Sequence, residues 1–176
     1  MSAFALLCAA DAPAQGLQEK RPWKIRITSE NEPGIPMIVT GRVVDRQGRP
    51  VPHVKVYVFH ADATGRYNPQ QDESRPRLHG TLWTNEEGRF EFRTIRPAPY
   101  PGTRRGEHFH IELSEGGIAP HKATISFWED RKEKLTLDIT GSRRLTGFAW
   151  KPDPNTGGQR LQIDLPVRRR ASSGER

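Results

Sequence analysis

Polar and apolar side chains alternate from Lys24 to Thr28 (KIRIT), which is the period-two signature of a half-buried strand. Asn31 to Pro36 (NEPGIP) has turn composition, and Met37 to Val44 (MIVTGRVV) predicts a second strand. After a tight connection at Asp45 to Pro50, a third strand runs from Val54 to Phe59. There Val54, Val56 and Val58 share one face, and Tyr57 and Phe59 share the other. Thr81 to Thr84 and Arg89 to Thr94 flank Asn85-Glu86-Glu87-Gly88, a hairpin turn by composition. Further strands are expected at His108 to Leu113, Ala123 to Trp128, Lys134 to Ile139 and Arg160 to Val167. No window of ten or more residues holds a 3.6-residue period. Eight or nine short strands separated by turns predict an all-β fold, an antiparallel β-sandwich. Two long loops, Asp62 to Leu78 and Arg96 to Glu107, interrupt it, and loops of that size on a sandwich commonly carry function.

Composition adjusts this picture at the ends of the chain. The 176 residues suit one sandwich domain at 23–167, with a signal-peptide remnant or disordered N-terminus at 1–22 and a disordered basic tail at 168–176. No stretch approaches the ~18 continuous apolar residues of a membrane span, so an integral membrane protein with helical spans is excluded. Ala3 to Ala10 (AFALLCAA), followed by small residues to Ala14, reads as the end of a secretory signal peptide, although the first basic residue is Lys20. Export to a periplasmic or extracellular space is the expectation, with a cytoplasmic protein as the alternative. Cys8 is the single cysteine, which rules out an intramolecular disulfide framework and a cysteine-rich metal site. The formal charge of +7 is spread along the body, apart from Arg168, Arg169, Arg170 and Arg176 in the tail. With no reading helix and no basic face interleaved with aromatics, a nucleic-acid partner is not expected.

The candidate chemistry lies in the loops and one strand. In His108-Phe109-His110 the two imidazoles project to one face of a strand while Phe109 enters the core. Such a pair either binds a metal through one nitrogen each or sits hydrogen-bonded on the sheet surface. Tyr100 lies eight positions before His108 in a proline-stiffened segment, and Tyr67 lies in the first long loop. Either tyrosine alone reads better as an aromatic plugging the sandwich edge. His53, His60, His79 and His121 read as surface or supporting histidines, with His60 and His79 placed where they could line a pocket. Asp62, Asp72, Glu107 and Glu129 show no paired spacing for acid–base work, and no nucleophile elbow or phosphate-cradling loop occurs.

Gly41-Arg42-Val43-Val44-Asp45, Gly48-Arg49-Pro50-Val51, Gly65-Arg66-Tyr67, Glu87 to Ile95, Tyr100-Pro101 and His108-Phe109-His110 occur in one order. In that order the chain resembles the intradiol ring-cleavage dioxygenases, which include protocatechuate 3,4-dioxygenases and catechol 1,2-dioxygenases. The resemblance runs from about Gly41 to Leu113. Its early part is shared with transthyretin-like and carboxypeptidase-regulatory-like sandwiches, so a non-catalytic binding module of that kind is the alternative reading. Two tyrosines followed by His-x-His supply the specificity.

The resemblance implies that Tyr67, Tyr100, His108 and His110 ligate a non-haem ferric ion, Fe(III), with Tyr100 the tyrosinate that leaves when substrate binds. Ferric iron is a hard cation suited to phenolate oxygen, and two phenolates bring the site close to charge balance. The implied reaction inserts both atoms of O2 into a catechol-type aromatic diol and cleaves the ring between its hydroxylated carbons, giving a muconate-type diacid. Arg105, three before His108, matches the arginine that steadies charge on the substrate. Arg66, Arg104 and Arg105 are the candidates for meeting a substrate carboxylate by a forked contact. Ile125 stands where the family commonly carries a glutamine. The family's habit of assembling makes a homo-oligomer an expectation.

Overall fold

The computed structural model describes residues 21–104, 106–126, 135–137, 145–148 and 151–170. The N-terminal segment set apart at 1–22 therefore lies outside the described residues except for Arg21 and Pro22. The described elements are all strands: β1 (Lys24–Arg26), β2 (Pro36–Val44), β3 (Val54–His60), β4 (Leu78–Trp83), β5 (Arg89–Ile95) and β6 (His108–Glu115). They continue with β7 (His121–Ser126), β8 (Leu135–Leu137), β9 (Leu145–Phe148), β10 (Lys151–Pro152) and β11 (Gln159–Pro166). A five-stranded sheet, β1-β5-β2-β11-β10, faces a four-stranded sheet, β4-β3-β6-β7, and β8 pairs with β9.

Alternation along the strands fills the space between the sheets. Val54, Val56 and Val58 are wholly buried, as are Phe109, Ile111 and Ile125 from the same sheet and Val39, Phe92 and Ile163 from the other. Phe109 meets Phe92 edge-on across the layers, ring centroids 5.6 Å apart. Burying each such side chain contributes about 1.5–3 kcal/mol.

Not all pairing is antiparallel. β1 runs parallel to β5, and β11 runs parallel to β2 over eight register pairs from Gln159↔Met37 to Pro166↔Val44. Neither pair is joined by a hairpin. β1 passes on to β2 before β5 is made, and β11 returns to β2 after the other sheet is complete, so the chain is free to arrive in either direction. β4 also begins three residues earlier than the alternation pattern predicts, at Leu78. The short strands β9 and β10 were not expected from sequence. Phe127 and Trp128 of the seventh expected strand lie outside the described residues, as do the ends of the eighth.

The expected basic tail begins as part of the body. The backbone N–H of Ala119 donates to Arg168 (3.1 Å), that of Arg170 donates to Gly117 (2.8 Å), and Ile118 and Arg169 form a β-bridge. Arg169 Nε also donates to Asp45 Oδ2 at 3.2 Å. Burial would push the Asp45 carboxyl up, but hydrogen bonds from Arg49, Arg169 and the backbone of Gln47 outweigh it and hold the group at about 2.

This topology decides where the loops fall. β3 ends at His60, β4 starts at Leu78, β5 ends at Ile95 and β6 starts at His108. Because β3 is antiparallel to both β4 and β6, with His60 opposite Leu78 and Phe109, both long loops leave from one end of the sandwich.

Candidate metal and substrate site

Side chains two apart on β6 share a face, so His108 and His110 stand together with ring centroids 4.8 Å apart. Antiparallel register sets Phe59 opposite His110, and the two rings stack at 4.7 Å and 12°. Phe59 therefore forms a wall beneath one imidazole. Its face was legible in the sequence but its partner was not, because cross-strand register cannot be read from one strand.

The loop after β3 brings in Tyr67. Asp62 organises its start, accepting on Oδ1 from the backbone N–H groups of Thr64 (2.8 Å) and Arg66 (3.1 Å). At the loop's far end Arg77 makes a forked contact with Glu32 at 2.9 and 2.7 Å and reaches Asp62 Oδ2 at 3.4 Å. The Arg77 hydrogen bond is the main reason the Glu32 carboxyl lies below its ordinary value. Asn68 closes the turn between them, donating to the carbonyls of Asp72 (2.9 Å) and Arg75 (2.8 Å). Tyr67 is consequently buried, 4% exposed.

The second loop carries Tyr100 and is stitched to the first. Ala98 N–H donates to the carbonyl of Asp62 at 3.1 Å. Gly65, at φ +78°, lies so close to Pro99 that a Cβ there would sit 2.1 Å from its carbonyl oxygen. Only glycine permits both the conformation and the approach. Arg96 and Glu107 clamp the base of the loop, with Arg96 Nε 2.5 Å from Glu107 Oε2.

The four rings converge. The Tyr67 and Tyr100 hydroxyls are in hydrogen-bond contact, and the Tyr100 hydroxyl lies 2.9 Å from His108 Nε2. His108 Nδ1 is 2.8 Å from the carbonyl of Gly106. A carbonyl can only accept, so Nδ1 carries the proton and Nε2 offers its lone pair toward the phenols. His110 lies within 6.3 Å of Tyr67, centroid to centroid, and its Nε2 is 3.3 Å from Glu73 Oε1. Among the described residues no three His, Cys, Asp or Glu side chains form a metal-binding group, so any metal here depends on the phenol oxygens as much as on the imidazoles. Two phenol oxygens, which become anionic donors on metal binding, with two nitrogens, one of them oriented by a carbonyl behind it, make a donor set that fits a hard trivalent cation.

The remaining sequence candidates fall differently. Arg66 and Arg104 are exposed on the same two loops, and Arg105 lies outside the described residues. His60 does not line this site: it is wholly buried between the sheets, with Nδ1 2.7 Å from the carbonyl of Ala61 and Nε2 2.6 Å from the Thr94 hydroxyl. Burial pushes its pKa down to about 4. His79 and His53 are exposed, and His121 is half-buried. Ile125 pairs with Phe109 and faces the core, so the β7 residues beside His108 and His110 are Ser126 and Thr124. Glu73, Arg96 and Glu107 were missed as site residues. Each sits in irregular loop, where neither period nor spacing reports a neighbour.

Residues 14–132 match the model of a protein family described as dioxygenase. Over 118 residues the chain is 35% identical to the beta chain of protocatechuate 3,4-dioxygenase from Burkholderia cepacia, covering 58% of this chain and 50% of that one. The chain belongs to the intradiol dioxygenase family. The chain is also 38% identical over 91 residues to hydroxyquinol 1,2-dioxygenase from Nocardioides simplex, covering 52% of its own length and 31% of the relative's. It spans half or less of the length of these two curated relatives. Its fold matches the dioxygenase domain of a dioxygenase–carbohydrate-binding protein fusion from Streptomyces sp. SirexAA-E, with a TM-score of 0.64 and 21% identity over 91% of this chain and 97% of that domain.

Proposed function

We propose that this chain is a non-haem iron(III) dioxygenase that takes a catechol-type aromatic diol and O2 and opens the ring between the two hydroxylated carbons. The observation that carries the reading is the contact of the two phenol oxygens with each other and of the Tyr100 oxygen with His108 Nε2 at the end of the sandwich, with His110 beside Tyr67 and His108. Tyr67, Tyr100, His108 and His110 would hold the ion. When bound, ferric iron would supply Lewis acidity and electron acceptance toward a chelated diolate and O2.

The chain's own part follows from burial and reach. Tyr67 is locked in by the Asp62–Arg77 network and is suited to stay in place. Tyr100 is only half-buried and rides on the shorter loop, so its phenol oxygen can swing outward and take one proton from the incoming diol. His108 and His110 stand on a paired strand and keep their orientation, with Gly106 fixing the first and Phe59 supporting the second. Arg66, Arg104 and Arg105 are the cations available to meet a substrate carboxylate or developing negative charge. In the balanced reaction both oxygen atoms of O2 enter one product, one carbon–carbon bond breaks, and a diacid leaves.

Oxygen uptake by iron-loaded protein, with catechol, protocatechuate and hydroxyquinol offered separately, tests this. Uptake of one O2 per diol, with a muconate-type diacid as product, is expected for at least one of them. Iron-loaded protein that consumes no O2 with any of the three, or that gives an aldehyde-containing product from cleavage outside the diol, overturns it.

A further inference from the structure

At the pole of the sandwich opposite the four rings, the β2–β3 turn meets the chain just past β11, where Val167 N–H donates to Val44 at 2.8 Å. Their meeting forms a cavity of about 270 Å³ lined by four arginines, Arg46, Arg49, Arg168 and Arg169, and a single carboxylate, Asp45. The sequence concealed this, because Arg46 and Arg168 are more than a hundred residues apart.

Two of the four are fixed. Arg49 Nε lies 2.9 Å and Arg169 Nε 3.2 Å from Asp45 Oδ2, and Asp45 is 4% exposed. Arg169 Nη2 also donates to the carbonyl of Pro50 at 3.2 Å, and Arg49 Nη2 is 3.4 Å from Gln47 Oε1. Each guanidinium carries five N–H donors, so both keep donors beyond these bonds. Among the described residues, Arg46 and Arg168 make no side-chain hydrogen bond or ion pair. The amides of Gln47, Gly48 and Arg49 are already committed, since Asp45 Oδ1 accepts from Gln47 N and Arg49 N at 3.0 Å each and the Asp45 carbonyl accepts from Gly48 N at 2.9 Å. A ligand would therefore be held by guanidinium forks rather than by backbone, an arrangement that suits tetrahedral oxyanions. At ~30 Å³ per water, the volume takes one such group with several waters.

We propose that this cavity binds a phosphate or sulfate group, either as the free oxyanion or as an ester carried on a larger molecule. The site is independent of the ring-cleavage chemistry and lies at the other end of the fold.

The test titrates full-length protein with inorganic phosphate, sulfate and pyrophosphate by calorimetry at low and moderate salt, and measures retention on heparin. The variant Arg46→Glu/Arg168→Glu leaves the Asp45 pairs intact, so it should fold with an unchanged melting temperature. Arg26→Glu/Arg89→Glu, with equal charge change elsewhere, is the control. Saturable one-to-one binding that weakens about tenfold or more in the first variant and little in the control is expected. If inorganic anions saturate the cavity, the free source is supported; if only heparin shows the variant-specific loss, the ester source is. No saturable binding of any probe, or equal losses in both variants, overturns the site.

Discussion

Gly65 offers a sharp test of how the two tyrosine-bearing loops depend on each other. In Gly65→Ala the new methyl would lie 2.1 Å from the Pro99 oxygen and 3.0 Å from Pro101 Cδ, where ordinary contact begins at 3.4 Å. The loops must separate by roughly 1 Å, and a misplacement of ~1 Å at a reacting centre costs on the order of 100-fold in rate. Alanine at φ +78° adds ~1–2 kcal/mol of backbone strain, and the overpacking adds ~1–3 kcal/mol. Gly48→Ala is the matched comparison, with φ +77° and nothing within 4 Å of the added carbon. It should carry the backbone strain alone, a fall of about 2–8 °C in melting temperature at this chain size, with turnover unchanged. Thermal unfolding and oxygen uptake on both iron-loaded variants separate the effects. If Gly65→Ala loses no more stability and no more turnover than Gly48→Ala, the close approach of the loops does not position the tyrosines, and the reasoning fails.

Three further outcomes follow from the geometry. His60 is neutral when folded, with a pKa of about 4 against an ordinary 6.5, so the unfolded chain binds its proton first as pH falls. Stability should be full above pH 6.5 and drop by about 3 kcal/mol on the way to pH 4, measured by denaturant unfolding. His60→Phe should flatten that dependence, and Asp45, held at about 2, titrates below the window. Ile125→Gln should destabilise the fold by ~2–4 kcal/mol, since it buries an amide beside Phe109; unchanged stability with altered turnover would mean the side chain faces the site instead. Glu107→Gln weakens the clamp on Arg96 and should cost ~1–2 kcal/mol while loosening Tyr100, seen as faster loss of iron to a chelator. Iron release at the unaltered rate would exclude that role.

Much of the fold was legible because alternation reports burial directly. Val54, Val56 and Val58 were placed on one face, which the structure shows to be the core face, and Phe109 was placed in the core between two histidines on the other face, from sequence alone. Pairing partners were less accessible. The parallel run of β11 beside β2 joins residues about 120 apart, and a strand's own pattern carries no information about its neighbour's direction. At the candidate site, Tyr67, Tyr100, His108 and His110 were picked out through their order along the chain, and topology explains why their rings lie together, since both loops leave the same end. Phe59 beneath His110, Glu73 near its Nε2 and the Arg96–Glu107 clamp all depend on loop paths or register. His60 was misjudged because a histidine at a strand end looks the same in sequence whether it turns to solvent or bridges two sheets.

The central claim is that two phenols and two imidazoles hold one ferric ion. Loading the full chain with ferrous iron, oxidising it in air and recording iron content beside the visible spectrum tests that directly. One iron per chain with an intense tyrosinate-to-iron charge-transfer band, shifted or lost in Tyr67→Phe, is the expected result. A colourless protein, or one whose band is indifferent to replacing both Tyr67 and Tyr100, contradicts it.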